Sequence, residues 1–338
     1  MSVTFSGGIT FTGGGFSFTE APPAQGTAGW ITGGSTEPAT TSMVQRITFA
    51  TDTAYASVRG PLSAGKYAGA GFGNFTYGWI VGGVNYSISP SGAVTTIDRI
   101  TYATDTATAS SRGNTLYALR AGQAGAGDVT AGWFSGGFYA PVPTLFQYWP
   151  YPQKITYATD TATASQKGDL SVGIRSATAV TDGNTYGTTY CWVVGGLSST
   201  GEVSLVQRIT YANDTGTASI RGSLSSPQAY LGGVNNTTYG WVAGGGAGGP
   251  YLSTVQRITY ATDTATASIR GPIYIGTYQA GSGNADYGWF SGGRYPPGNP
   301  SFLYYVYRIE YATDTATASA RGNLNTGVTQ AQSTSGIQ

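Results

Sequence analysis

Fifteen carboxylates, sixteen cationic side chains and one thiol are the groups in this 338-residue chain that could do acid–base, nucleophilic or metal chemistry, because histidine is absent. Without imidazole there is no histidine general acid or base and no histidine-ligated metal site. The single cysteine, Cys191, cannot form an intramolecular disulfide or a cysteine zinc cluster. It precedes Trp192 in a strand-like run and reads as a buried, inert thiol. Nine acids, Glu20, Glu37, Asp98, Asp128, Asp169, Asp182, Glu202, Asp286 and Glu310, are scattered along the chain with no local pair suited to acid–base work. Distant carboxylates would have to be brought together by the fold. Asp182-Gly-Asn184 is similar to the start of a calcium loop but lacks the terminal Glu, so it reads as a turn. The glycine run 244–249 lacks the Lys-Ser/Thr and helix of a phosphate-binding loop. The expectation is a non-enzymatic protein without cofactor or metal.

The remaining charges belong to a repeat. The phrase Arg-Ile-Thr-Tyr-Ala-Thr-Asp-Thr-Ala-Thr-Ala-Ser recurs six times with small changes, beginning at Arg46, Arg99, Lys154, Arg208, Arg257 and Arg308, in steps of 53, 55, 54, 49 and 51 residues. Each copy carries an Asp (Asp52, Asp105, Asp160, Asp214, Asp263, Asp314) and a second cation (Arg59, Arg112, Lys167, Arg221, Arg270, Arg321). Alternating with it, Trp-x-x-Gly-Gly begins at Trp30, Trp79, Trp133, Trp192, Trp241 and Trp289. Groups demanded six times by symmetry are expected to be structural. The Asp would cap its turn by bonding its own downstream backbone, one cation would pair with it across the hairpin, and the indoles would pack between units. The functional alternatives are a symmetric anion-binding ring and an indole ligand cage.

These residues must be positioned by strands. Thr254–Ala261 alternates with period two and is rich in β-branched residues. Thr262-Asp263-Thr264 supplies a turn, and Ala265–Ser268 returns as a short strand. Upstream, Tyr239-Gly-Trp-Val-Ala ends at a diglycine, and a weaker strand precedes it over Ala229–Val234. No segment has a helical period. Four strands per unit of this length is the size of a propeller blade.

Here the chain resembles the kelch family. Trp241-Val-Ala-Gly-Gly245 matches the diglycine strand, Val255–Tyr260 the third strand and Ala261–Thr264 the turn. The departure is that kelch blades usually place a Trp after that turn, where this chain has Ala-Thr-Ala-Ser. Copper oxidases built on such blades need His ligands that are missing here. The resemblance covers residues 28–338 and implies an all-β fold: a six-bladed β-propeller of four-stranded antiparallel blades. The chain after Arg321 looks like the start of a further unit, while the first unit lacks its inner strand. Residues 325–335 are therefore expected to supply that strand and close the ring.

Residues 1–27 lie outside the repeat as short strand-like pieces, with Phe5, Phe11, Phe16 and Phe18 separated by glycines, then a linker. They read either as a tail packed on the propeller or as an attachment arm that adds strands to another subunit. The start has neither the basic region nor the apolar run of a signal peptide, and no stretch is long enough to span a bilayer as a helix. At net charge +1, with 9% charged residues against about 25% in an average protein, nucleic-acid binding is not expected.

The units differ most between the diglycine and the repeat cation. That gap is 11 residues in units one, four and five, 15 in unit two, 16 in unit three and 14 in unit six. Unit three inserts Tyr139, Tyr148, Trp149 and Tyr151, and unit six inserts Tyr295, Phe302, Tyr304 and Tyr305. Both loops join second to third strands and should emerge on one face, as covers for their own blades or as a binding surface for a saccharide or protein. The phrase Arg-Ile-Thr-Tyr-Ala-Thr-Asp-Thr-Ala-Thr-Ala-Ser-x-Arg-Gly is similar to kelch-type repeats of structural proteins in marine tailed phages, cyanophages included. That resemblance implies a virion location and a tail-fibre, tail-associated or capsid-decorating role. Residues 1–27 would then meet other virion proteins, and the loops host-surface polysaccharide or protein. The alternative is a cellular kelch-type protein- or carbohydrate-binding module.

Overall fold

A computed structural model of the chain describes residues 8–12, 15–19, 26–36, 39–88, 92–118, 120–139, 147–183, 189–246, 251–295 and 302–335. Each repeat unit folds into an antiparallel sheet of four main strands side by side, in chain order in blades two to six; blade three adds the two-residue strand Gln147–Tyr148 beside its second strand. Blade five is Gly232–Asn235, Tyr239–Ala243, Thr254–Thr259 and Ser268–Pro272. Six such blades form the expected propeller, with their inner strands lining one narrow channel.

The second strand of a blade is apolar on both faces because each blade is sandwiched between two others. Gly240, Trp241, Val242 and Ala243 are all buried. Trp241 packs toward blade six, with Phe290, Ile309 and Tyr311, and Val242 toward blade four, with Trp192 and Val206. The hydrophobic core is thus six layers between blades rather than one centre.

The ring closes as expected. Gln332–Ser335 is the inner strand of blade one, beside Ala28–Thr32, with Thr334 opposite Trp30. Val44–Thr48 and Ser57–Arg59 complete that blade.

Two strand boundaries move. The inner strand of blade five begins at Gly232, not Ala229, because Tyr230 adopts a left-handed φ of 65° that interrupts extended backbone. The outer strand begins at Ser268, not Ala265. Tyr260–Thr262 forms a 3-10 turn, the Ala265 N–H donates back to Thr262 O, and the Ala267 N–H is taken by Ser223 O of blade four.

Inner strands approach so closely that small residues are required. A Cβ on Gly281 of blade six would lie 2.0 Å from the Gly233 carbonyl oxygen of blade five. In the N-terminal region, Gly8–Thr12 and Gly15–Thr19 pair as a hairpin, with Phe11 opposite Phe16 and Ile9 opposite Phe18. Phe5 lies outside the described residues.

Candidate functional site

The repeated charges converge at the seams between blades. Asp263 of blade five takes its partners from blade four: Oδ2 accepts from Trp192 Nε1 at 2.8 Å and Arg208 Nη1 at 3.0 Å, and Oδ1 from Arg221 Nε at 2.9 Å. Tyr260, three residues before Asp263, stacks on Trp192 with ring centroids 4.1 Å apart. Beside Arg221, the Gly222 N–H donates to Asp263 O at 2.7 Å, and a Cβ on Gly222 would sit 2.1 Å from Ala265 O. Asp105, Asp160, Asp214, Asp314 and Asp52 each take the indole and both cations of the blade before them. Phe49 replaces the Tyr at the last seam and stacks on Trp289.

This arrangement corrects the expectation of Asp pairing across its own hairpin. The cation opposite Asp263 in its own blade, Arg257, is engaged by Asp314 of the next blade, so every pair is handed one blade around. It also removes the anion-ring and indole-cage alternatives, since all twelve repeat cations are paired and the six indoles are at most 5% exposed. Burial pushes the carboxyls of Asp160, Asp214 and Asp263 up, but hydrogen bonds from cation and indole, with the cations' charge, outweigh it and hold them below the usual range. They stay ionised and are not proton donors. Burial drives the phenols of Tyr157, Tyr211, Tyr260 and Tyr311 well above their ordinary value, and the Cys191 thiol up to about 12. None is a nucleophile near neutral pH.

A second repeated position breaks the symmetry. The residue before the repeat cation is Gln in four blades, and its carboxamide grips the linker arriving from the preceding blade. Gln45 accepts from Thr326 N, Gln153 from Leu116 N, Gln207 from Val172 N and Gln256 from Ser225 N, at 2.7–3.0 Å. In blade two it is Asp98, whose Oδ2 lies 2.9 Å from Lys66 Nζ, with both side chains buried. In blade six it is Tyr307, whose ring lies parallel to that of Tyr274 in the linker, with centroids 5.4 Å apart.

The linkers gather at one mouth of the channel. Ala68, Ser176, Tyr230, Tyr278 and Gln330, each just ahead of an inner strand, and Gly122, at the irregular start of the inner strand Arg120–Gly127 of blade three, all have positive φ. Five successive hydrogen bonds of 2.8–2.9 Å run in one direction: Ala68 N to Gln330 O, Gly122 N to Ala68 O, Ser176 N to Gly122 O, Tyr230 N to Ser176 O and Tyr278 N to Tyr230 O. Second strands end at this same face, where the second glycine of blades one, four, five and six donates to a linker carbonyl. The loops between second and third strands therefore emerge here, as expected.

In blade three, Tyr139 ends the second strand Ala131–Tyr139 opposite Gln147, and Tyr148 lies opposite Phe138. Residues 140–146 lie outside the described residues. Trp149 is buried at 8% exposure between Tyr117 and Tyr151, so its indole packs the base of the loop. Tyr148 sits under the Arg175 guanidinium. In blade six, Phe302 bridges Arg294, Tyr295 and Tyr305 lie against Tyr274, and Tyr304 lies against Tyr305. Tyr274 and Tyr307 were missed by sequence reasoning. The available signal was the replacement of a repeated Gln by Tyr307.

On the opposite face, the fold brings Asp286 and Glu310 into one cleft with Asn236, and Glu310 accepts from Thr313. Asp182 accepts from Thr189 N and Tyr190 N, and Asn184 lies outside the described residues. Among the described residues no three acids or cysteines are placed to hold a metal ion, and no helix is long and apolar enough to cross a membrane.

No family model matches the sequence, and no curated protein matches it. Chains of known structure share the fold. One is the structure of YjhT, which superposes with a TM-score of 0.65 over 81% of this chain and 88% of that one, at 12% identity. Similarity at that identity establishes the propeller fold.

Proposed function

We propose that this protein is a non-enzymatic structural component of a tailed-phage virion, with its loop face turned outward toward the host surface. The observation carrying the non-enzymatic part is the commitment of the repeated charges and indoles to seams between blades. The phage assignment rests on the likeness of the repeat phrase to kelch-type repeats of phage structural proteins. What departs from the repeat is a set of aromatic side chains on one face, suited to contact rather than to chemistry. The hairpin Gly8–Thr12/Gly15–Thr19 offers strand edges through which residues 1–27 would join another virion subunit.

Immunogold electron microscopy of purified particles, with antibody against this chain, tests the reading. Label on intact virions is expected. Label restricted to the infected cell or its debris would favour a cellular binding module and overturn the assignment.

A further inference from the structure

Blade six abandons the common pattern in three linked ways. The Gln that grips the linker in four blades is replaced by Tyr307. The linker entering the blade is one residue shorter than the one before it, with five steps from Ile273 to Tyr278 against six from Leu224 to Tyr230. A longer loop then delivers Tyr295, Tyr304 and Tyr305 to the same place. A change that gives up a hydrogen bond used elsewhere, and substitutes a connected run of five rings, is not explained by packing of the ring itself.

The rings form a continuous platform. Tyr274 lies 6.0 Å from Tyr295, 5.7 Å from Tyr305 and 5.4 Å from Tyr307, and Tyr304 lies 4.6 Å from Tyr305. Tyr274 is 40% exposed and Tyr304 43%. All five side chains are phenols that carry a hydroxyl at the ring tip. The repeat cation beside them, Arg308, is held by Asp52.

We propose that this platform between the linker and blade six binds a neutral saccharide. A pyranose offers a flat C–H face to stack on a phenol ring and hydroxyls to bond its tip. An anionic glycan would call for a cluster of cations, and twelve of the sixteen here are engaged at the seams. Tyrosine also anchors protein interfaces, but a hydroxyl at every ring tip suits a polyhydroxylated ligand better.

The proposal deepens the outward-face half of the preceding reading and is independent of where the protein resides. Saturation-transfer NMR on the purified chain, with maltohexaose, cellohexaose and mannohexaose as neutral probes and a heparin hexasaccharide as anionic probe, tests it. At least one neutral probe is expected to bind. The variant Tyr274→Ser/Tyr307→Gln installs the residues of blade five, Ser225 and Gln256, and should keep its thermal stability. Its binding should weaken about tenfold or more, as expected from the loss of two stacked rings. Binding of heparin alone, of no probe, or undiminished binding by the variant would overturn the proposal. Virion label without glycan binding defeats this inference alone, whereas glycan binding without virion label defeats the phage assignment alone.

Discussion

Asp263 joins two blades through a single carboxylate that accepts from one indole and two guanidinium groups. Asp263→Asn keeps the shape but leaves Arg208 and Arg221 without their counter-charge, and is expected to cost about 3 kcal/mol in urea unfolding. The acid response follows from the same geometry. The folded carboxyls of Asp160, Asp214 and Asp263 lie below the unfolded value of about 3.9. Their stabilisation is therefore present above that value and is lost as pH falls through the folded pKa. Acid unfolding monitored by tryptophan fluorescence should set in below about pH 4, with a shallower pH dependence in Asp263→Asn. The pair Lys66–Asp98 gives a second test. Lys66 also donates to Thr96 O and Oγ1, while burial drives its pKa down against the pull of Asp98. Lys66→Met strands a buried carboxylate and should cost about 3 kcal/mol. Lys66→Gln/Asp98→Gln copies Gln228 and Gln256, which bond at 3.0 Å in blade five, and should come within about 1 kcal/mol of the parent in the same urea measurement. Asp98 was visible in the sequence only as an isolated acid, because its partner lies in a linker whose path is set by tertiary packing.

Strands were legible where one face of a residue pattern meets one neighbour. Thr254–Thr259 alternates and was found; Tyr239–Ala243 is apolar on both faces and was found by its length and its diglycine. Boundaries escaped where another blade decides them. The bond from Ala267 N to Ser223 O and the left-handed turn at Tyr230 both serve contacts across a seam, and no local pattern reports those. The closing strand was legible because an incomplete last unit and an incomplete first unit complement each other. Truncation after Gly322 removes Gln332–Ser335 and uncovers the edge of Ala28–Thr32. It is expected to lower the melting temperature in calorimetry by about 10 °C or more. An unchanged melt would refute the closing role.

Across the whole molecule, a low charge content follows from how the charges are used. Twelve cations and six acids form one clasp written six times, and the rest of each blade is strand, glycine and small residues. The propeller was legible from that repetition. The aromatic loop residues were legible because their loops vary in length, and the structure brings Tyr295, Tyr304 and Tyr305 together while burying Trp149. Of the two tyrosines on which the platform is built, Tyr307 satisfies the strand pattern and was marked only by standing where four other blades carry Gln, and Tyr274 lies in a linker with no pattern to break.

The composite first blade has a kinetic consequence. Five of the indole–carboxylate contacts join residues 71 to 81 positions apart, so each can form as soon as the next blade has left the ribosome. The sixth, between Trp289 and Asp52, spans 237 positions and waits for nearly the whole chain. Closing so long a loop costs conformational entropy before any contact repays it. Folding should thus divide into a sequential phase, in which an open stack of blades grows along the chain, and one slower step that brings its two ends together.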